Sequence, residues 1–232
     1  CFIDQFISIR IFNFKTVDYS SIRYTVFNIT KMIRNKDIKE LAEILKRYIN
    51  NMELTLEGID GFYLNQFTRR YMLHILSRMT YYVEEQSGIN SNFADYVNRE
   101  QKNPYDIEHI WADDYTQGNH QLEFSTEEEF KDFRNRFGGL LILPKDKNRS
   151  LQDMEYSKKV IKYDSENLLA RTLNQNCYNN NPLFLCFMNN TQLPFKPYAQ
   201  FNKAELIERQ SLYKEICKKI WDVNKIDVLA NS

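Results

Sequence analysis

Apolar residues recur every three or four positions through the first fifty residues, and this spacing places them along one face of a helix. Two such stripes predict two helices before residue 34. The stripes are Phe2, Phe6, Ile9 and Phe12, then Ile22, Val26, Ile29 and Ile33. Asp37, with Glu40 three positions later, has the spacing of a capping box. A third helix is therefore expected over 38–49.

A longer helix is expected from about Leu64 to Gln86, after a loop over 51–62 that contains two glycines. Its apolar stripe consists of Phe67, Tyr71, Ile75, Met79 and Tyr82. Gly88 follows as a natural stop, because glycine readily adopts the left-handed conformation that ends helices.

The pattern changes after Pro104. Residues 105–112 are rich in β-branched and aromatic side chains, which predicts a strand. Leu140–Leu143 is a continuous apolar tetrad, typical of a buried strand. Between them, Ser125 and Glu128 have the spacing of a cap for a helix that runs to about residue 135. The turn over 145–150 begins another helix. The predicted order is therefore a strand, a long connecting segment, a second strand and a helix.

Four further helices are expected over 156–162, 166–173, 183–189 and 203–221. The chain is therefore predicted to be mainly α with a small β-hairpin, an α+β fold. We expect three regions along it. These are helices over 1–100, a core with both strands over 101–175, and C-terminal helices that pack on the core over 176–232.

Composition fits a helical protein with a sizeable core. The 232 residues allow one large or two small domains, and 43% of them are apolar. Only 6 Gly and 5 Pro argue against disorder and against an all-β sandwich. No apolar run approaches the roughly 18 residues of a membrane span, and no signal peptide is evident. The first residue is Cys1, so we expect a fragment of a longer protein.

The cysteines are widely spaced and show no pattern of paired thiolates. They are Cys1, Cys177, Cys186 and Cys217. We expect them to be reduced and mostly buried, in a cytoplasmic protein. A metal or redox role for them is the minor alternative.

Net charge predicts no nucleic-acid partner, because Lys plus Arg and Asp plus Glu number 31 each. The distribution is more informative. Residues 106–130 contain eight carboxylates and no Lys or Arg, whereas residues 131–162 contain nine basic and four acidic residues. An acidic block followed by a basic block suits a site that holds a cation and tolerates a phosphate. The alternative is two solvated faces of opposite charge that pair with each other.

The densest chemistry lies in Tyr105–Trp111, YDIEHIW, and in Gly138–Leu151, GGLLILPKDKNRSL. Cutting a phosphodiester requires a base for the attacking water and stabilisation of the charge on the phosphate. His109 is the candidate base, because the ordinary pKa of histidine is about 6.5. Glu108 and Asn148 carry oxygen atoms, the ligands that Mg²⁺ prefers, and are the candidate metal ligands. These are the parts of a one-metal phosphodiesterase.

Strand geometry adds a constraint, because neighbouring side chains of a regular strand point to opposite faces. Glu108 and His109 therefore serve one ion only if the strand bends or ends there, which the polar run after Trp111 favours. Asp106 lies two residues before Glu108, on the same face, and is a candidate outer ligand. The alternative for His109 is a half-buried histidine bonded to a backbone carbonyl.

Basic residues near Asn148 and downstream are candidate contacts for DNA phosphates, with ordinary solvation as the alternative. They are Lys145, Lys147, Arg149, Lys158 and Lys159. Outside this region, we expect His74 to pack on the long helix and His120 to be a solvent-exposed loop residue. Asp113 and Asp114 are expected to be loop acids, and Trp111 and Trp221 to be core residues.

The two segments resemble the ββα-metal fold of HNH endonucleases, in the variant at the C-terminus of GmrSD-type modification-dependent restriction endonucleases. In that family an acidic residue and a His end the first strand, a Gly-Asn-Leu segment opens the second, and an Asn lies in the following turn and helix. The matching positions are Glu108, His109, Gly138, Gly139, Leu140 and Asn148, with Lys158, Lys159, Tyr163 and Ser165 downstream. Residues 1–50 resemble the helical tail of the family's N-terminal nucleotide-binding module.

Gly139 departs from the family pattern, which usually has an Asn there that braces the loop between the strands. Its loss puts the rigidity of the site in question, and Asn135, four residues earlier, is a candidate replacement. Gly138 and Gly139 are therefore structural candidates at the site. The Asp-Gly-Gln-Gln-Arg-like motif of the nucleotide-binding module is absent from this chain, as expected of a fragment.

The resemblance implies an HNH core that cuts double-stranded DNA, including modified DNA, with Mg²⁺ or Mn²⁺. A nucleoside triphosphate would act only through the upstream module, in a cytoplasmic bacterial or archaeal defence protein without a membrane partner. Assembly as a homo-oligomer is left open. Two alternatives stand beside this hypothesis: a decayed module that binds DNA or another subunit, and a helical scaffold with a histidine by chance.

Overall fold

The computed structural model describes residues 2–231. Its α-helices are α1 (Phe2–Phe12), α2 (Tyr19–Ile33), α3 (Ile38–Asn50), α4 (Arg69–Gln86), α5 (Phe93–Val97), α6 (His120–Glu123), α7 (Glu127–Arg134), α8 (Lys145–Leu151), α9 (Tyr156–Tyr163), α10 (Leu168–Arg171), α11 (Pro182–Thr191), α12 (Lys203–Ile220) and α13 (Lys225–Ala230). The strands are β1 (Tyr105–His109) and β2 (Leu140–Pro144), and short 3₁₀ helices span Leu56–Gly61, Phe137–Gly139 and Gln175–Tyr178. The predicted α+β composition, mainly helical with a small antiparallel sheet, is confirmed.

The cysteines that the structure describes form no disulfide bond. Cys177 and Cys217 are buried, and Cys186 is exposed. The prediction for Cys1 lies outside the described residues. Within residues 2–231, none of the helices combines the length and the apolar content that a membrane crossing needs.

The chain forms two compact units. The described residues up to Phe62, together with those from Cys217 onward, form the first unit, and Tyr63–Ile216 forms the second. The region predicted as the core, 101–175, lies within the second unit.

In the first unit, α1, α2, α3 and α13 bury small apolar clusters. Asp37 caps α3 by accepting hydrogen bonds from the backbone N–H groups of Lys39 and Glu40, both at 2.9 Å. The Glu40 carboxylate pairs with Lys36 instead of completing a capping box. Trp221 is buried against Phe12, so its prediction as a core residue is confirmed.

In the second unit, α4 begins five residues later than predicted. The Asn65 side chain accepts hydrogen bonds from the backbone N–H groups of Phe67 and Thr68, at 2.8 and 2.9 Å. Such side-chain bonds offer the backbone an alternative to the helix. Phe67 is consequently 74% exposed rather than part of the apolar stripe. The buried apolar face of α4 consists of Met72, Ile75, Leu76, Met79 and Val83.

The β1–β2 hairpin is antiparallel, with Tyr105 opposite Pro144 and His109 opposite Leu140. The apolar residues of β2 are fully buried, which explains their continuous apolar run. β1 ends at His109, as the strand-geometry argument required, and the backbone N–H of Ile110 closes the sheet by donating to the Gly139 carbonyl at 2.9 Å. The segment after β2 is itself the helix α8, so Asn148 lies on a helix rather than in a turn.

Candidate active site

The end of β1, the start of α4 and helix α8 border one cleft with a volume of about 290 Å³. It brings together the predicted base His109 and the predicted metal ligands Glu108, Asn148 and Asp106. Five cationic side chains also line it, namely Arg69, Arg134, Lys145, Arg149 and Lys159. With two carboxylates against five cations, the charge of the cleft favours an anionic group.

Glu108 lies on the buried side of β1, where 1% of its surface is exposed. Its Oε1 atom accepts hydrogen bonds from the Lys159 ammonium and the Tyr163 hydroxyl, both at 2.8 Å. Lys159 and Tyr163 are four residues apart on α9, so they lie on the same helix face. Burial raises the pKa of Glu108 and lowers that of Lys159, while the attraction between the two charges opposes both shifts.

Lys159 was predicted to contact DNA phosphate, but its ammonium is buried and bonded to groups of the protein itself. Its side chain is 1% exposed. The ammonium also donates to the carbonyl of His109 at 2.7 Å, so one amine bonds to two consecutive residues of β1. Because these bonds occupy a buried ammonium, the phosphate prediction is corrected for this residue. Lys147 and Lys158 are exposed and, among the described residues, stand outside the group that lines the cleft.

His109 is half-buried, and its Nε2 atom lies 3.0 Å from Oδ1 of Asn135. Its partner is therefore a side chain rather than the backbone carbonyl of the alternative reading. Burial, and after it the charge of Arg134, lower the pKa of His109 to about 3, although the bond to Asn135 opposes the shift. The imidazole is thus neutral at physiological pH, and an anionic phosphate in the cleft would raise its pKa.

Asn148 uses its amide nitrogen to hold β1, since Nδ2 donates to the Ile107 carbonyl at 2.8 Å. The amide oxygen is therefore the atom that it can offer to a ligand in the cleft. Asp106 accepts hydrogen bonds at Oδ1 from its neighbour's backbone N–H at 2.9 Å and from Arg69 at 3.4 Å. Both side chains are thus fixed by contacts at the rim of the cleft.

The donor set matches a hard cation held by few protein ligands. Both bonds to Glu108 fall on Oε1, so Oε2 of Glu108 and the amide oxygen of Asn148 are the atoms that could hold an ion. Within residues 2–231, no group of three or more His, Cys, Asp and Glu side chains could hold a metal ion. A site built from two protein oxygens, with water and phosphate completing the shell, is typical of Mg²⁺ rather than of Zn²⁺.

Sequence reasoning missed Arg69 and Arg134 as cleft residues. Arg69 is the first residue of α4, and Arg134 is the last residue of α7. The Arg134 Nε atom donates to the carbonyls of Trp111 and Ala112, at 3.2 and 3.1 Å, which holds the guanidinium beside the end of β1. Neither residue lies in a motif, so only the three-dimensional structure reveals them.

Gly138 and Gly139 allow α12 to approach the start of β2 closely. A Cβ atom at Gly138 would lie 2.5 Å from the Leu206 carbonyl oxygen and 2.6 Å from the Gln210 nitrogen. At Gly139 it would lie 3.1 Å from a Leu206 methyl group and 3.2 Å from the Arg134 carbonyl oxygen. The packing of α12 thus requires a glycine at 138, whereas at 139 a larger residue would require Leu206 to shift by a few tenths of an ångström.

The remaining candidates lie outside the cleft. His120 is buried rather than solvent-exposed, because its ring packs 4.7 Å from that of Trp111 and 4.6 Å from that of Phe130. The same cluster confirms Trp111 as a core residue. His74 contacts the ring of Phe93 at 5.2 Å, as expected of a packing residue. Asp113 and Asp114 lie after β1, and Asp114 accepts hydrogen bonds from Thr116 in a local turn.

Fold and cleft together define an α+β domain in which a histidine, oxygen donors and cations surround one polar site. The family described as GmrSD restriction endonucleases, C-terminal domain, matches residues 50–216, well over half of the chain. The chain therefore belongs to this family, which indicates a restriction-nuclease-type domain. Comparison with curated proteins and with solved structures gives no match.

Proposed function

We propose that the chain is a metal-dependent DNA endonuclease domain of the HNH type, in which β1, β2 and α8 form the ββα-metal core. The observation that carries the proposal is the convergence of the adjacent residues Glu108 and His109 with Asn148, from a second segment of the sequence, on one cation-lined cleft. The membership of the chain in a restriction endonuclease family supports this proposal.

His109 is the proposed general base. In the neutral form it accepts a proton from water, whose oxygen then attacks the phosphorus while the bond to the leaving oxygen breaks. General-base catalysis contributes about 10²–10⁴-fold to a rate. A low pKa makes the imidazole a weak base, so the proposal requires the phosphate of bound DNA to raise it.

Glu108, through Oε2, and Asn148, through its amide oxygen, are the proposed ligands of Mg²⁺ or Mn²⁺, with Asp106 as an outer ligand. When bound there, the ion would act as a Lewis acid that stabilises negative charge on the phosphate. Asp106 is assigned to the outer shell, where it would reach the ion through water, and its Oδ1 atom is held by Arg69 and by the backbone N–H of Ile107.

Phosphate binding is assigned to the cations that line the cleft without a buried carboxylate partner: Arg69, Arg134, Lys145 and Arg149. Lys147 and Lys158, exposed beside the cleft on α8 and α9, are assigned to flanking phosphates. The proposed substrate is double-stranded DNA, including modified DNA. A nucleoside triphosphate would act through an upstream module, in a cytoplasmic protein that could also assemble as a homo-oligomer.

Plasmid nicking in Mg²⁺ or Mn²⁺ tests the proposal. His109→Ala is expected to fold normally and to lose about 10²–10⁴-fold in nicking rate. His74→Ala is the matched control, since His74 is an exposed histidine outside the cleft. If the wild-type protein cuts DNA and His109→Ala nicks it at the same rate, His109 is not the general base.

A second candidate function is a decayed module that binds DNA without cutting it. The buried pair of Glu108 with Lys159 favours this candidate, because the ammonium already neutralises the carboxylate. Thermal unfolding with millimolar Mn²⁺ separates the two functions. An ion that binds only the folded state must raise Tm, whereas a decayed site leaves it unchanged.

A further inference from the structure

The side-chain amide of Asn135 is held at both ends. Its Nδ2 atom donates to the Lys131 carbonyl at 3.0 Å, and its Oδ1 atom lies 3.0 Å from Nε2 of His109. The reversed amide would set its oxygen against the Lys131 carbonyl oxygen, and two acceptors form no hydrogen bond. The orientation is therefore fixed, and the atom that faces the imidazole is an acceptor.

An acceptor at this position determines which imidazole nitrogen carries the proton. A neutral imidazole has one N–H donor and one acceptor nitrogen. Because Oδ1 of Asn135 can only accept, Nε2 is the protonated nitrogen of His109, and Nδ1 keeps its lone pair. The second ring nitrogen of a histidine commonly sets the role of the first in this way.

The backbone around Asn135 is also anchored, so the amide is a fixed support. Asn135 ends α7, where its N–H donates to the Lys131 carbonyl at 3.2 Å. Its own carbonyl accepts a hydrogen bond from the Leu64 N–H at 2.7 Å. The next residue, Arg136, forms a β-bridge with Tyr63. Asn135 therefore joins the segment at Leu64 to the end of α7, and Leu64 and Arg134 both line the cleft.

We propose that Asn135 is a positioning residue, which holds His109 with Nε2 protonated and so makes Nδ1 the atom that accepts the proton from water. This inference rests on the proposed function for its catalytic consequence, but the tautomer is a property of the protein alone. Asn135 stands outside the residues that line the cleft, so it acts through His109 and not on DNA.

Nitrogen-15 NMR of histidine-labelled protein tests the tautomer directly. The chain has 3 His, so assignment requires only the single variants His74→Gln and His109→Gln. We expect His109 to show a protonated Nε2, with its N–H protected from solvent exchange, and an unprotonated Nδ1. Asn135→Ala should abolish the exchange protection, whereas Asn135→Asp, which keeps an acceptor, should retain it. A protonated Nδ1 in the wild type, or unchanged protection in Asn135→Ala, would refute the proposal.

Kinetics separate positioning from mere stabilisation. Asn135→Ala should lower kcat about tenfold, the effect of one neutral hydrogen bond, and leave KM unchanged. In the His109→Ala background the same change should cost nothing more, because the two residues act as one unit. Equal losses in both backgrounds would identify a structural role only and overturn the proposal.

The matched control is Asn51→Ala. Asn51 also follows an α-helix and donates its backbone N–H to the carbonyl four residues earlier, but it belongs to the first unit and does not line the cleft. It should change neither the His109 signals nor kcat. If the wild type does not cut DNA, the proposed function fails, while the NMR result still decides the role of Asn135.

Discussion

Glu108 and His109 are adjacent in the sequence, yet they lie in contrasting surroundings. The Glu108 side chain is almost fully buried where it lines the cleft, and its carboxylate accepts hydrogen bonds there from a buried ammonium and a buried phenol. The side that His109 faces is a polar cleft with an excess of cations. Because β1 ends at His109, both side chains border the cleft, but only the Glu108 side chain is almost fully enclosed.

The comparison shows that the buried contacts of Glu108 fix the backbone and side chains at the site, whereas His109 is the group available for chemistry in the cleft. The Lys159 ammonium bonds to the Glu108 carboxylate and to the His109 carbonyl, so it fixes both residues of the motif from the buried side. Buried ion pairs are weak evidence for stability but can specify one arrangement. We therefore expect changes on the buried side to lower stability, and changes on the cleft side to lower binding or catalysis.

Lys159→Met should have the largest effect on stability. It leaves the Glu108 carboxylate buried without its countercharge, which typically costs about 3–5 kcal/mol. Urea unfolding followed by circular dichroism measures the loss. In the double variant Glu108→Gln, Lys159→Met no buried charge remains, so most of the stability should return while nicking stays low. A single variant as stable as the wild type would show that the two sides of β1 do not differ as described.

Tyr163→Phe should have an intermediate effect. It removes one hydrogen bond to an ionised carboxylate, and such bonds contribute about 1.5–3 kcal/mol. Tyr156→Phe is the matched control, because its hydroxyl donates to a neutral carbonyl, that of Tyr198, at 2.7 Å. We expect about 0.5–1.5 kcal/mol for the control in the same urea experiment. Equal losses would mean that the Glu108 carboxylate is not ionised.

Arg149→Ala should leave the free energy of unfolding nearly unchanged and weaken DNA binding. Removing one phosphate contact reduces the slope of log Kd against log salt by about 1. Fluorescence anisotropy with labelled duplex DNA at several salt concentrations measures the slope. Lys219→Ala, an exposed cation outside the cleft, should leave the slope as it is. The same slope for both variants would show that Arg149 on α8 does not contact a DNA phosphate.

The smallest effect concerns His120, a buried histidine that belongs to neither side of β1. Burial lowers its pKa, and within the described residues its Nδ1 atom is buried without a hydrogen-bond partner. The unfolded chain, whose histidine titrates near about 6.5, therefore binds a proton more readily than the folded protein. The contribution of His120 to stability is fully present above that pH and is lost as the pH falls from it through the lower pKa of the folded protein.

His120→Phe should weaken this acid sensitivity, because phenylalanine does not titrate and fits an aromatic cluster. Tm measured above and below pH 6.5 gives the comparison, with His74→Phe as the control for an exposed histidine. If the two variants lose Tm equally on acidification, His120 is not the group responsible.

Much of the hairpin was predictable, because its signals are local. The apolar tetrad of β2, the short run of β1 and the His-containing end of that strand each carry a pattern of a few residues. The pairing of Glu108 with Lys159 was not predictable, since the two residues are 51 positions apart and both belong to types that usually remain exposed. The same holds for Arg134, which lies at the end of α7. Asn135 was a candidate from the family pattern, but its hydrogen bond to His109 was not predictable from the sequence. The start of α4 was wrong because local bonds from Asn65 outweighed the apolar period.

The close approach of α12 to the hairpin determines where the protein can be shortened. Tyr213 donates its hydroxyl hydrogen to the Leu140 carbonyl at 2.9 Å, and the Gly138 N–H donates to the side chain of Gln210 at 3.3 Å. A fragment trimmed to residues 101–175 would leave both partners behind and expose the apolar back of the hairpin to water. The shortest fragment that keeps these contacts within one compact unit therefore extends from Tyr63 to Ile216.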